Sequence, residues 1–363
     1  MLDNAIPEHL RTERSKPVKT PGPDFAPPYP SYSVRFPEHA ADLVMAIIGA
    51  QFKSEADADA DADATAAAAA AQSKVTSFLT SGTNQPSFSE WASVTDNKGF
   101  YNLTAFAYWP STADYKTWTE ASGFDAWWQA LQPEDHQHGW FLEVFLPTME
   151  RFETIFNTTT PEGSAHMRQG WSGEVQQHAY WGSMRDRLPL AQTDSLEGEK
   201  ATADDFKASS QDTTQGRRIR VPGKKNLAVI RSGQDWLATT PHERQLYLDT
   251  MHPVLVKGMD FLRDQGDEVG CYSCRFMDIV DPSTRKTDQE RTFGLAYFDD
   301  LVSLEKWCKE HPTHLAIFGG FHRYAKKLNN NLSLRVFHEV FVLEPEQQFF
   351  EYIGCHPGTG MLL

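Results

Sequence analysis

An internal repeat constrains the fold of this chain more than any other feature of the sequence. The first copy, Leu-Thr-Ala-Phe-Ala-Tyr-Trp, covers residues 103–109, and the second, Phe-Gly-Leu-Ala-Tyr-Phe, covers residues 293–298. In each copy a tryptophan follows ten residues after the tyrosine, Trp118 in the first and Trp307 in the second. Because both copies combine a strand end with a helix at one spacing, we expect a single structural unit to account for both halves.

Periodicity around the second copy predicts the order strand–helix–strand–strand–helix–strand. We expect strands at residues 226–231, 268–277, 292–298 and 334–343, and helices at 242–265 and from 301 to about 327, the latter broken near Pro312. This order is the ferredoxin-like pattern. We therefore predict an α+β fold in which two fused ferredoxin-like repeats form an antiparallel β-barrel with helices on the outside.

The 363 residues are interpreted as one domain with three parts. Residues 1–36 are proline-rich and are predicted to form an extended arm over the body of the protein. The first ferredoxin-like half is expected over residues 37–215 and the second over 216–363. Within the first half, the Ala/Asp-rich tract at 55–72 is interpreted as a solvated helix or an expanded insertion, and residues 191–216 as a long surface connection.

Charge and cysteine content exclude several classes of function. The formal net charge is −15, which argues against nucleic-acid binding and against adhesion to anionic lipid. No apolar run approaches the roughly 20 residues that span a bilayer, and the N-terminus lacks the features of a signal peptide. Four cysteines are too few for a disulfide scaffold. We expect a cytoplasmic protein with neither a membrane nor a nucleic acid as partner.

Five of the thirteen histidines lie within the last fifty-three residues. His314 ends the phrase His-Pro-Thr-His near a predicted helix start, and His338 alternates with Val336 and Val340 on a predicted strand. Taken singly, His314 is compatible with helix capping, and His338 with a core histidine bonded to a backbone carbonyl. Taken together, they predict a metal or cofactor site between a helix and a strand, since imidazole binds metals and moves protons near neutral pH. His322 is predicted to be exposed.

Five phrases resemble the aldoxime dehydratases, a family that includes aliphatic aldoxime and phenylacetaldoxime dehydratases. They are Arg-Phe-Glu-Thr at residues 151–154, Tyr-Trp-Gly-Ser-Met-Arg at 180–185, Arg-Ser-Gly-Gln-Asp-Trp at 231–236, His-Pro-Thr-His at 311–314 and Gly-Cys-His-Pro-Gly-Thr-Gly at 354–360. The resemblance keeps its order from about Pro27 to the C-terminus, and the Ala/Asp-rich tract departs from the family in composition. It implies a homodimeric α+β barrel that holds haem b and converts aldoximes to nitriles and water, that is, a lyase.

The resemblance also implies a role for each of five residues. His314 would be the axial ligand of the haem iron, and the substrate nitrogen would bind the iron in its ferrous state. His338 would act as the distal general acid and base. Ser232 and Arg185 would hold the oxime hydroxyl, and Glu153 would set the charge or orientation of the histidine. Judged from its sequence neighbours alone, Ser232 is equally compatible with capping the turn that follows its strand.

Two alternatives remain open at the level of sequence. One is another haem enzyme of the dimeric α+β barrel type, peroxidase-like or chlorite-degrading. The other is a haem-binding protein without turnover, although a storage site would not need the polar set of Arg185, Ser232 and His338. The choice between aliphatic and aryl-aliphatic aldoximes also stays open.

Overall fold

The computed structural model describes residues 2–20, 22, 24–53, 62–179, 183–206, 214–287 and 289–363. The helices of these residues are α1 (Ala62–Leu79), α2 (Thr112–Ala121), α3 (Phe124–Ala130), α4 (Pro241–Thr250), α5 (His252–Asp264), α6 (Leu301–Glu310) and α7 (Pro312–Lys327). The strands are β1 (Val34–Arg35), β2 (Val44–Phe52), β3 (Phe88–Thr95), β4 (Tyr101–Trp109), β5 (Gly139–Phe145), β6 (Phe152–Phe156), β7 (Gly170–Trp171), β8 (Arg218–Val221), β9 (Leu227–Asp235), β10 (Cys271–Val280), β11 (Arg291–Phe298), β12 (Arg335–Leu343) and β13 (Gln348–Ile353).

Eleven of these strands form one antiparallel sheet, in the order β6-β12-β9-β11-β10-β3-β4-β2-β5-β13-β8, and β1 pairs with β7. Each half of the chain contributes four strands with the same local order. In the first half, β2 lies between β4 and β5, and β3 lies beyond β4. In the second half, β9 lies between β11 and β12, and β10 lies beyond β11. The two units meet where β10 pairs with β3.

The four strands predicted in the second half correspond to β9–β12, although β9 extends to Asp235 and β10 begins only at Cys271, and the strands β8 and β13 were not predicted. The predicted helices correspond to α4–α7, with one additional break. The predicted helix over residues 242–265 is interrupted at Met251, so that α4 ends at Thr250 and α5 begins at His252. Pro253 explains the interruption, because a proline has no N–H to continue a helix and is tolerated in the first turn. The predicted break near Pro312 is confirmed, and His311 caps α7 by accepting from the backbone N–H of Thr313.

Two tyrosines show that the sheet is strongly curled. Tyr108 on β4 donates to Glu339 on β12 at 2.5 Å, and Tyr297 on β11 donates to Glu143 on β5 at 2.5 Å. Each pair joins strands five positions apart in the sheet. In a flat sheet such strands would be about 24 Å apart, given a strand spacing of about 4.8 Å. The sheet therefore folds round so that its inner face packs on itself.

The apolar core has one inner region and two outer layers. The inner face of the curled sheet buries side chains from both halves, among them Phe106, Phe145, Phe293 and Phe341. One outer layer lies between the strands of the first half and helices α1 to α3. The other lies between the strands of the second half, helices α5 and α6, and residues 184–196. Among the described residues, no helix is long and apolar enough to cross a membrane.

The structure corrects two expectations for the polar segments. The prediction of a surface connection over residues 191–216 is wrong for its first part, because Ala191 and Leu196 are buried in the outer layer of the second half; residues 207–213 lie outside the described ones. Residues 54–61 of the Ala/Asp-rich region also lie outside them. The remainder forms the start of α1, where Ala68 and Ala71 are buried against the sheet rather than solvated.

Candidate active site

A large apolar cavity lies in the outer layer of the second half, between the sheet and helices α5 and α7. Its empty volume is about 1310 Å³, part of which is open to solvent. The side chains that line it are mostly apolar, which suits a flat hydrophobic cofactor or an apolar substrate group. Helix α5 contributes Leu255 and Met259, Met251 lines the cavity from the break before α5, and α7 contributes His314 and Phe318.

The sheet wall of the cavity is built from three neighbouring strands in register. Ser232 on β9 lies directly opposite His338 on β12 and opposite Gly294 on β11. Since directly paired residues point to the same face of a sheet, Ser232 and His338 face the cavity together. Gly294 keeps this wall thin, because a Cβ at that position would lie 2.7 Å from Sδ of Met259. In the described part of the chain, the Ser232 hydroxyl has no hydrogen-bond partner.

His314 stands on the helix wall as a buried, neutral imidazole. It lies in the first turn of α7, and its ring makes an edge contact with Trp307 at 4.8 Å between centroids. Burial lowers the pKa of His314 to about 4, and the backbone of Cys308 offsets only part of this effect. Its Nδ1 is buried without a hydrogen bond of normal geometry to the described residues. A buried polar nitrogen of this kind is costly unless something binds the ring.

His338 is held from behind by an ion pair. Its Nε2 lies 2.8 Å from Oε1 of Glu153 on β6 and 3.0 Å from Nη2 of Arg187. Arg187 also donates to both oxygens of Glu153, at 2.8 and 3.1 Å. All three side chains are buried, with Arg187 and Glu153 each 1% exposed. The three groups therefore form a fixed unit whose imidazole lies at the edge of the cavity.

The charges of this unit shift two pKa values in definite directions. Burial alone would raise the pKa of Glu153, but Arg187 and His338 hold it below its usual value. Glu153 is therefore a carboxylate. Burial lowers the pKa of His338, while the charge of Glu153 and its hydrogen bond oppose that effect. The imidazolium form of His338 is thus a minority species at neutral pH, and Glu153 is the main group that favours it.

The structure does not bring Arg185 to this unit. Arg185 instead pairs with Glu305 at 3.0 Å and donates to the backbone carbonyl of Ser195 at 2.6 Å. The arginine beside His338 is Arg187, which the sequence-based assignment missed. Arg185 lies in a short 3₁₀ turn, Met184–Asp186, and Arg187 follows at its end. Residues two apart in a 3₁₀ turn point in directions about 120° apart, so the phrase Met-Arg-Asp-Arg presents one arginine to the site and turns the other away.

Residues from the N-terminal arm form part of the cavity wall. Pro28 and Tyr29 line the cavity, and the hydroxyl of Tyr29 lies 3.4 Å from Nδ1 of His322. The prediction that His322 is exposed is wrong, since it is half-buried against Phe318, with 4.5 Å between ring centroids. The residues at 180–182, part of the family phrase, lie outside the described ones.

The donor set fits the haem that the resemblance implies. A haem carries four ring nitrogens of its own, so the protein needs to supply only an axial ligand and an apolar slot. His314 supplies a neutral imidazole, the form that binds a metal, inside an apolar cavity of sufficient size. The sheet wall adds the paired Ser232 and His338, two polar side chains that line the same cavity as His314.

Comparisons with known proteins agree with this architecture. Residues 46–361 match the model of a family described as haem-containing dehydratase. The chain is 37% identical over 363 residues to the aliphatic aldoxime dehydratase of Pseudomonas chlororaphis, covering 99% of this chain and 98% of the relative. It is 29% identical over 273 residues to the phenylacetaldoxime dehydratase of Bacillus sp. (strain OxB-1), covering 73% of this chain and 74% of that protein.

The fold also resembles a solved structure over nearly its whole length. A crystal structure of an aldoxime dehydratase in complex with butyraldoxime superposes with a TM-score of 0.89 at 35% sequence identity. The match covers 99% of this chain and 96% of that one. The curled antiparallel sheet with its outer helices is therefore shared with that protein.

Proposed function

This chain belongs to the haem-containing dehydratase family, and we propose from that premise that it converts aldoximes, R–CH=N–OH, to nitriles and water. The activity makes it a lyase, and the cofactor is haem. One observation carries the assignment to this cavity. His314 lies on the helix wall, and the paired Ser232 and His338 lie on the sheet wall of the same apolar space.

His314 would hold the haem, because it is the cavity's buried neutral imidazole on the helix wall. When bound there, the haem would supply ferrous iron as a source of electron density for the cleavage of the N–O bond. The methionines and aromatic residues of α5 and α7 enclose the cofactor and the R group in an apolar environment. This environment excludes bulk water, which strengthens every polar contact made to the substrate.

Ser232 and His338 would act on the oxime hydroxyl. The Ser232 hydroxyl is placed to hydrogen-bond the oxygen and fix its orientation. His338, in its imidazolium form, would donate a proton to that oxygen so that the N–O bond breaks and water leaves. The imidazole so formed would then take the proton from the substrate carbon, which completes the nitrile and restores the imidazolium. The proton count balances over one turnover, so no other proton donor is required.

Glu153 and Arg187 would keep His338 ready for this cycle. The Glu153 carboxylate stabilises the protonated ring, whereas Arg187 holds the carboxylate in place and limits how strongly the ring retains its proton. A general acid works best when its pKa lies near the working pH, and two opposing charges at one nitrogen provide that balance. Arg187 would therefore support His338 together with Glu153, whereas the resemblance assigned Arg185 to the oxime hydroxyl.

The function is tested by incubating purified, haem-loaded, dithionite-reduced protein with an aliphatic and an aryl-aliphatic aldoxime. We expect the Soret band to shift on addition of substrate, and nitrile to accumulate. Nitrile formation without haem, or no nitrile from either substrate class, would contradict the proposal. The ratio of the two rates also decides the substrate preference.

A matched pair of arginine variants tests the assignment of Arg187. Arg187→Leu removes a charge that contacts both His338 and Glu153, so we expect a loss of turnover of the size typical for acid–base groups, about 10²-fold or more. Arg185→Leu removes a pair with Glu305 away from the cavity and should lower thermal stability with little change in turnover. The reverse ranking would restore Arg185 to the site.

We also propose that the two four-stranded units are fused ferredoxin-like repeats of a single haem-binding barrel domain, with residues 1–36 as an arm and a boundary between the halves near residue 215. The equal strand order of the units supports this interpretation.

We further propose a homodimer in the cytoplasm. The four cysteines support a reducing compartment because all are free and buried thiols. Light scattering coupled to size-exclusion chromatography measures the mass; a monomer of 41.0 kDa would contradict the dimer.

A further inference from the structure

Two buried carboxylates occupy corresponding places under the two halves of the sheet. Glu339 on β12 and Glu143 on β5 are both fully buried. Each accepts a hydrogen bond at 2.5 Å from the repeat tyrosine of the other half, Glu339 from Tyr108 and Glu143 from Tyr297. The tyrosine of each repeat therefore donates a hydrogen bond to a glutamate of the opposite half of the molecule.

The two carboxylates differ in how completely they are neutralised. Glu143 forms a two-pronged pair with Arg275, at 2.8 and 2.6 Å, and also accepts from Tyr352 at 2.7 Å. Glu339 has a longer contact to Arg231, at 3.4 Å, and Arg231 is shared with Glu90. Two-pronged arginine pairs bind a carboxylate more strongly than a single long contact. Glu339 is therefore paired less closely with an arginine than Glu143 is.

The main chain around Glu339 is adapted to this carboxylate. The backbone N–H and the hydroxyl of Ser164 donate to its second oxygen at 3.1 and 2.6 Å. The preceding residue, Gly163, has a positive φ of 52°, and a Cβ there would lie 2.6 Å from both Arg231 and Glu339. Only glycine fits this turn, so the position of the carboxylate is fixed from three sides.

Glu339 and Arg231 lie directly behind the two residues that face the cavity. On β12 and β9, His338 pairs with Ser232, and the next pair is Glu339 with Arg231. Successive residues of a strand point to opposite faces, so the second pair lies under the first. In the first half, Glu143 instead lies behind Leu142, which has no titratable group.

We propose that Glu339 is a positioning residue for His338: anchored by Tyr108, Ser164 and Arg231, it fixes the register of His338 with Ser232 and supplies a negative charge behind the imidazole. The inference rests on the proposed function and assigns it a second carboxylate in addition to Glu153. It also explains why a fully buried acid follows the cavity-facing histidine directly in the chain.

The charged groups around His338 make the direction of the effect definite. Glu153 and Arg187 contact the ring, His178 lies nearby at the cavity, and Arg231 and Glu339 lie beneath the sheet. Burial lowers the pKa of His338, and Glu339 is among the charges that raise it. Loss of that charge therefore makes the imidazolium rarer, and a reaction that needs the imidazolium should fail at a lower pH than before.

The experiment compares Glu339→Gln with Glu143→Gln in the haem-loaded enzyme. For Glu339→Gln we expect the alkaline limb of the turnover–pH profile to move down by roughly 0.5–1 unit, with unchanged haem content. Glu143→Gln should lower thermal stability but leave the profile in place. The milder pair Tyr108→Phe and Tyr297→Phe repeats the comparison if the glutamine variants do not fold. Only Tyr108→Phe should lower turnover, by roughly three- to tenfold.

A second measurement separates this inference from the proposed function. Histidine NMR of the reduced, carbon monoxide-bound protein, with the His338 signal identified by its absence in His338→Gln, reports the titration of that ring directly. A lower midpoint in Glu339→Gln and not in Glu143→Gln supports the inference even if no aldoxime is converted. Equal His338 midpoints in both variants, or superimposable pH profiles in an active enzyme, would overturn it.

Discussion

The two halves share one strand order but differ in what lies between the sheet and the outer helices. In the first half this layer is filled with large aromatic side chains that are all buried in one apolar cluster: Trp109, Trp118, Phe124, Trp128 and Trp140. In the second half the same layer contains the cavity. The same strand order therefore carries a packed aromatic layer in the first half and a binding cavity in the second half.

The difference can be traced to single positions of the sheet. The strand register makes Ile48 and Leu142 of the first half equivalent to Ser232 and His338 of the second. It also makes Ala105 equivalent to Gly294. The apolar pair of the first half thus corresponds to a polar pair in the second half, and the alanine of the first half corresponds to a glycine in the second. The comparison teaches that the site arises from a few substitutions on a repeated layer, with the filled half maintaining the geometry.

The largest expected effect follows from removing the helix-borne histidine of the second half. His314→Ala should give folded protein without haem and without turnover, because this imidazole is the proposed axial ligand. Haem content by the pyridine haemochrome assay and circular dichroism measure the two properties. His322→Ala, on the same helix, serves as control and should retain haem. Full haem occupancy in His314→Ala would remove His314 from the site.

Acid should release the haem from the cavity only at a pH well below the usual pKa of histidine. Burial lowers the pKa of His314 to about 4, so the ring stays neutral, and able to bind a metal, as the pH falls through 6.5. Because iron competes with the proton for the ring, the haem should be released only at or below about pH 4. A titration of the Soret band, with circular dichroism to confirm that the fold persists, gives the midpoint. Release centred near pH 6.5 would contradict the neutral, buried state.

Equivalent truncations on β12 and β5 should separate catalysis from stability. His338→Ala should keep haem and lose turnover by about 10²–10⁴-fold, the scale of general acid–base groups. Leu142→Ala, at the equivalent position, should cost about 2–5 kcal/mol of unfolding free energy and leave the turnover of the folded fraction unchanged. An active His338→Ala variant would show that the polar substitution on β12 is not what distinguishes the halves.

The partner position on β9 gives a smaller effect of the same kind. Ser232→Ala should lower turnover about tenfold to a thousandfold, the range for a lost transition-state hydrogen bond. Ile48→Val, its counterpart in the filled half, should cost about 0.5–1.5 kcal/mol of stability with no kinetic change. Retained turnover at unchanged haem content would exclude Ser232 as a contact to the substrate.

The smallest effect is expected where the halves differ by a single methyl group. Gly294→Ala makes the cavity wall resemble that of the first half and brings a Cβ within 2.7 Å of Sδ of Met259. Because methionine is flexible, we expect adaptation and a rise in KM of roughly two- to fivefold. Ala105→Gly in the first half should cost about 0.5–1 kcal/mol of stability and leave KM unchanged. An unaltered KM in Gly294→Ala would show that this wall does not limit the substrate.

Local signals in the sequence predicted the strands and helices of the second half closely. Alternation placed β11 and β12, and the phrase His-Pro-Thr-His predicted both the break near Pro312 and the start of α7. The break at Met251 was missed, although Pro253 carries the same signal as Pro312. These features depend on neighbours within a few residues, which is why sequence alone suffices for them.

The arginine of the site shows where such reasoning fails. Arg185 and Arg187 are equally plausible in the phrase Met-Arg-Asp-Arg, and only the direction of each side chain distinguishes them. That direction depends on a short 3₁₀ turn whose partners, Glu305 for one and Glu153 for the other, are more than thirty residues away. The spacing of the two arginines was a usable signal that two opposite directions were available.

The sequence by itself determined the repeat, the order of the main elements and the placement of His314 at a helix start and of His338 on a strand. Periodicity and spacing encode these features locally. Ser232, which was predicted at the turn after its strand, instead lies within β9. The tertiary structure alone decided which half is filled and which is open, which arginine supports His338, and that each repeat tyrosine bonds to the glutamate of the other half. Those outcomes depend on the curl of the sheet, which brings together strands that are distant in both sequence and sheet order.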